Sequence, residues 1–205
     1  MRLLTFFIFS IVAAAQQPVW ARSQRISLRF SLNNEIVTLR HPGAGYIASS
    51  TPWAYIPRLG LNLTYEVSTA LSVGIGPETS VPSTYMTPGA SYQFLTGNLY
   101  ARYFAVLLPA TATVNFAQGV DWRLGLKFSA GPSFERWQTV ALRSSKGVRL
   151  PLTETSEWYS GFFGQVGLLG EGRPSNWSTI LTGPYVGLDS RRNLSFGIVA
   201  QLGLL

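Results

Sequence analysis

The chain of 205 residues has no cysteine and a single histidine, His41. The first absence excludes disulfides, thiolate metal sites and an N-terminal lipid anchor on cysteine. The second excludes the histidine clusters that hold transition metals, and no cofactor is expected. The nucleophile motif Gly-x-Ser-x-Gly is missing too. Charge is scarce: Asp, Glu, Lys and Arg make up 12% of the chain against 46% hydrophobic residues, where a soluble domain carries about 25% charge. That is too little to wrap an ordinary soluble surface of this size. Long apolar runs are nevertheless absent beyond the N-terminus, where none approaches the roughly 20 residues of a membrane helix. Apolar content without apolar runs is what alternating strands produce.

At the N-terminus, Arg2 precedes the apolar stretch from Leu3 to Ala15, followed by small residues. The pattern is that of a secretion signal covering residues 1–21, cleaved after Ala15 or after Ala21. A short membrane anchor is the bland alternative, but no cluster of positive charge follows the stretch immediately. Residues 22–205 then form one domain. The net charge is +7 and the isoelectric point about 10.1. The basic residues do not gather with aromatics on one element, so nucleic acid is not an expected partner. Anionic lipid headgroups or lipopolysaccharide phosphates are.

Alternation places eight strands: residues 24–32, 58–67, 70–76, 98–107, 120–134, 157–169, 177–188 and 194–205. The last is the clearest. Leu194, Phe196, Ile198, Ala200, Leu202 and Leu204 share one face, and Ser195, Gly197, Gln201 and Gly203 the other, with Val199 the exception. Strands of about ten residues, apolar outside and small or polar inside, are the unit of a transmembrane barrel. In the fourth strand Leu99, Ala101, Tyr103, Ala105 and Leu107 form the apolar row, opposite Asn98, Tyr100 and Arg102. The connections read as 33–57, 68–69, 78–97, 109–119, 135–156, 170–176 and 189–192. Long and short alternate, as expected for external loops and periplasmic turns with both termini inside. The last link breaks this rhythm. Either that loop is clipped, or the count misses a strand near residues 109–120, where Thr111–Phe116 could pair.

A soluble barrel also alternates, but its outer face would carry Lys, Glu and Asp. Here the polar faces are mostly Gly, Ser, Thr, Asn and Gln. Seven charged residues instead fall in the stretch 135–157: Glu135, Arg136, Arg143, Lys146, Arg149, Glu154 and Glu157.

The export signal, the hairpin Tyr65-Glu-Val-Ser-Thr-Ala-Leu-Ser-Val-Gly-Ile-Gly76 and the end Asn193-Leu-Ser-Phe-Gly-Ile-Val-Ala-Gln-Leu-Gly203 resemble the small outer-membrane β-barrel superfamily. That group includes the barrel domain of OmpA-type proteins. The resemblance implies an all-β, antiparallel up-and-down transmembrane barrel in the outer membrane of a Gram-negative bacterium, inserted by the barrel-assembly machinery. Such barrels often end in an aromatic residue, where this chain has Leu205. No peptidoglycan-binding segment follows the strands, so no wall-anchoring role is expected.

The inward charges expected from the alternation are Arg58, Glu66, Arg102, Arg123 and Lys127. An eight-stranded barrel is just wide enough for side chains to fill, and these charges read as a structural plug rather than an anion conduit. Four cations to one anion leave the pairing incomplete. Arg136, Arg143, Lys146 and Arg149, with Trp137 beside them, are candidate contacts to lipopolysaccharide phosphates, although a solvated loop is the plainer reading. Trp122, Trp158, Tyr159 and Trp177 fall at strand ends, where an aromatic girdle belongs. His41 has Ser49, Ser50 and Glu35 near it in sequence, but nothing fixes a catalytic geometry, and it reads as a loop histidine. The expectation is a non-enzymatic barrel with a structural or surface-interaction role. The alternatives are a transport barrel for a small or hydrophobic solute, a secreted lipocalin-like barrel and a lipid-modifying enzyme.

Overall fold

A computed structural model describes residues 26–38, 47–48, 53–92, 95–144, 149–151, 156–175 and 178–204. In the first strand, Ile26–Thr38, outward and inward residues alternate throughout. Ile26, Leu28, Phe30, Leu32 and Ile36 are exposed, while Ser27, Arg29, Ser31, Asn33, Glu35 and Val37 are buried. The polarity is the reverse of a soluble sheet. Side chains on the concave side of a narrow closed barrel bury one another whatever their polarity, and the apolar side chains are left on the convex side.

The second strand is Trp53–Ser68. The third has three segments, Leu71–Ile75, Glu78–Ser80 and Ser83–Tyr92, interrupted at Pro77 and Pro82. The fourth has two, Leu95–Leu107 and Ala110–Gln118, interrupted at Pro109. Proline cannot donate to a ladder, so each break falls where a backbone donor is missing. The fifth strand is Trp122–Ser144, the sixth Ser156–Ser175, the seventh Ser178–Asp189 and the eighth Leu194–Leu204. Each pairs antiparallel with the next. The ring closes where the eighth strand meets the first, with Leu28 opposite Leu204 and Ile36 opposite Phe196.

The ring has the eight strands expected, but its connections are shorter than the alternation suggests. The stretches 78–97 and 135–156 contain much strand, because the third, fourth and fifth strands continue as a sheet beyond the pairing of the second and third. Two short strands flank this sheet, Ile47–Ala48 against the third strand and Arg149–Pro151 against the fifth. Thr111–Phe116 does pair, within the fourth strand rather than as a ninth. The short last link is a true tight turn. Asp189 Oδ1 accepts the backbone N–H groups of Arg191 and Asn193, both at 2.8 Å, and Arg192 takes the left-handed conformation at φ 63°.

The fourth strand corrects the alternation reading. Ala101, Tyr103, Ala105 and Leu107 are buried inside, and Arg102, expected in the lumen, is exposed on the outside. Either face of this strand could pass for the lipid face, since Phe104, Val106 and Leu108 form an equally apolar row. What lies across the interior decides. Tyr103 meets Trp137 edge-on with ring centroids 4.9 Å apart, and Tyr85 at 5.8 Å.

Candidate functional site

The lumen is organised in layers. Near the end that carries the tight turn at residues 69–70, Arg29 pairs with Glu171 at 3.1 Å and Arg123 with Glu66 at 2.7 Å. Farther along, Asn33 donates to Glu78 at 2.9 Å. Arg58 pairs with Glu35, whose other carboxylate oxygen accepts the Tyr185 hydroxyl at 2.8 Å. Lys127 lines a cavity of about 20 Å³ with Asn33, Glu78, Ser129 and Gln165, which is room for about one water molecule. A small apolar cluster of Leu169, Leu181, Tyr185 and Val199 packs in the same interior.

Toward the opposite rim the filling turns apolar. Val37, Ile56, Tyr85, Tyr103, Trp137 and Phe163 belong to one packed cluster. Glu135 borders it, accepting from Trp137 Nε1 at 3.2 Å and from Arg191 of the last turn at 2.9 Å. Charges so far from water must be matched, because an unpaired ion in such a setting is strongly destabilising. Four are matched by ion pairs, Arg29 with Glu171, Arg58 with Glu35, Arg123 with Glu66 and Arg191 with Glu135, and Lys127 lines the same small cavity as Glu78.

Four of the five expected lumen charges, Arg58, Glu66, Arg123 and Lys127, thus lie inside, and Arg102 does not. The further anions come from stretches that the alternation leaves as connections: Glu35 in 33–57, Glu78 in 78–97, Glu135 in 135–156 and Glu171 in 170–176. The sequence does hold a signal for all four, because each continues the inward series of its strand by twos. Continuing the inward series from Arg29 by twos reaches Asn33 and Glu35, and continuing that of the third strand from Ser72 and Gly74 reaches Glu78.

The aromatic residues divide differently than expected. Trp122 and Trp158 are exposed at opposite ends of the barrel wall, and Trp53 and Tyr55 of the second strand are exposed as well. Tyr159 instead packs inward against the apolar cluster, with the Arg191 guanidinium 4.6 Å from its ring centroid. It belongs to the interior and not to the girdle, because one residue step along a strand reverses the face. Trp177, Lys146 and His41 lie outside the described residues. Arg143 and Arg149 are opposite each other in backbone register, and Arg136 is exposed on the outer wall. No group of three metal-ligating side chains occurs among the described residues.

No protein-family model matches the chain, and no curated protein matches it in sequence. Solved structures do match in shape. One is Ail, the attachment invasion locus protein of Yersinia pestis, with a TM-score of 0.52 at 10% identity over 87% of this chain and 96% of that one. Another is Neisserial surface protein A, with a TM-score of 0.54 at 8% identity over 90% of this chain and 99% of that one. The chain therefore has the fold of the small outer-membrane β-barrels.

Proposed function

We propose that this chain is an integral outer-membrane barrel of a Gram-negative bacterium, exported through its N-terminal signal, with a structural or surface-interaction role and no catalytic activity of its own. Its partners are the lipids around it, and the barrel-assembly machinery during insertion. The observation that carries this reading is the filled lumen. Matched ion pairs and two apolar clusters occupy the interior, and the cavity beside Lys127 has room for about one water. A barrel packed in this way supports anchoring and presentation better than passage of a solute. The exposed apolar rows support lipid, rather than water, as its surroundings.

Two measurements test the reading. Carbonate-washed membranes should retain the protein, and the unboiled protein should migrate faster in SDS than the boiled one. Purified protein in planar bilayers should then show no stepwise conductance. Release by carbonate without a heat shift would point to a soluble barrel, and regular conductance steps would point to transport.

A further inference from the structure

The outer wall changes character over a single step on the fifth strand. Its outward row runs Trp122, Leu124, Leu126, Phe128, Ala130, Pro132 and Phe134, and then turns polar at Arg136 and Gln138. From residue 122 to 134 is twelve steps. At about 3.3 Å per step and a tilt of about 45°, that row rises roughly 28 Å, close to the ~25 Å of a barrel's apolar band. Arg136 is therefore the first polar side chain beyond the hydrocarbon on this strand.

Its neighbours make it a site. Phe104 on the fourth strand and Trp158 on the sixth stand directly opposite Arg136 in register. Their rings meet edge-on, with centroids 6.4 Å apart. The Arg136 guanidinium lies 6.0 Å from the Trp158 ring centroid, and its Nε donates to Ser156 Oγ at 2.8 Å, which fixes the side chain. Arg102 is the next outward residue beyond Phe104 and stands diagonal to Arg136. Arg102, Phe104 and Arg136, together with Pro82 and Gln138, border an open depression of about 300 Å³. Among the described residues, no carboxylate lies within ion-pair distance of either arginine.

We propose that this patch binds the phosphate group of an outer-leaflet lipid. Arg102 and Arg136 donate to the phosphate oxygens, a geometry that suits guanidinium groups. Phe104, Trp158 and Phe134 below them contact the apolar part of the same molecule. Two adjacent cations without carboxylate partners among the described residues, on the lipid wall at the edge of the apolar band, face headgroups rather than a protein partner. The proposal rests on the outer-membrane reading and names one of the barrel's lipid partners. Of the phosphate contacts expected from the sequence it keeps Arg136, and it adds Arg102.

The test uses full-length mature protein folded in phosphatidylcholine nanodiscs, with native mass spectrometry counting bound bis-phosphorylated lipid A. The heat shift in SDS serves as the control for folding. Wild-type protein should retain lipid A at least about ten-fold better than the Arg102→Gln/Arg136→Gln variant, as expected when two charge-assisted contacts are lost. Dephosphorylated lipid A should bind wild type no better than the variant does, and inorganic phosphate should not displace the lipid. Equal retention by a variant that keeps its heat shift would overturn the site and leave the barrel reading intact. Displacement by inorganic phosphate would overturn a lipid ligand in favour of a free anion. A wild-type protein that does not enter the nanodiscs would overturn the barrel reading and the site with it. Should the double variant fail to fold, the single substitutions and the dephosphorylated lipid decide on the same criteria.

Discussion

Glu35 and Arg58 lie on adjacent strands two residues out of direct register, and their side chains meet as an ion pair inside the barrel. Tyr185, from the seventh strand, donates to the remaining carboxylate oxygen at 2.8 Å. Three strands are thereby tied together at one carboxylate. Glu35→Ala would leave Arg58 buried without its anion, which should lower stability by about 3–5 kcal/mol. Glu35→Leu combined with Arg58→Met should cost less than Glu35→Ala alone, because no charge is then left unmatched. Urea unfolding in detergent micelles, followed by tryptophan fluorescence, checks the order.

Trp137 is both a member of the apolar cluster and a hydrogen-bond donor to Glu135. Trp137→Ala should destabilise by about 3–5 kcal/mol, through the cavity it leaves. Trp137→Phe should recover most of the packing but not the bond to Glu135. The same urea titration separates the two contributions.

At Gly76 the third strand passes very close to the second. A Cβ added there would overlap the Leu61 carbonyl oxygen and come within 2.7 Å of Asn62 Cα. Both obstacles are backbone and cannot rotate away. Gly76→Ala should therefore reduce the yield of heat-shifted barrel, whereas Gly164→Ala, where nothing lies within 4 Å, should fold like wild type.

Phe128 stands midway along the outward row from Trp122 to Phe134 and is exposed on the wall. Phe128→Arg should destabilise the protein in bilayers by about 2–4 kcal/mol, the cost of a cation near the bilayer midplane. An equal stability of variant and wild type in lipid vesicles would contradict a lipid-facing assignment for this row.

Much of the architecture can be read from local pattern. The first, second, fifth and eighth strands carry their apolar residues on the face that alternation assigns, and Val199 is the inward exception that it marks. The candidate sites are less legible. Arg29 and Glu171 are 142 positions apart, so no local pattern could join them. Alternation puts Arg102 on the wrong face, because the residues on both faces around it are apolar or aromatic, and strand-end position alone assigns Tyr159 to the girdle.

Local alternation is enough to specify eight strands with an apolar exterior, since successive side chains on a strand point to opposite faces. Ring closure was needed for the rest: how far the strands run, which face of the fourth is inside, and which carboxylate meets each arginine. Those outcomes depend on residues that are distant in the chain and stand opposite one another only once the barrel is shut. Tyr103 faces inward because Trp137 and Tyr85 stand there, and Arg102 is thereby turned out beside Arg136.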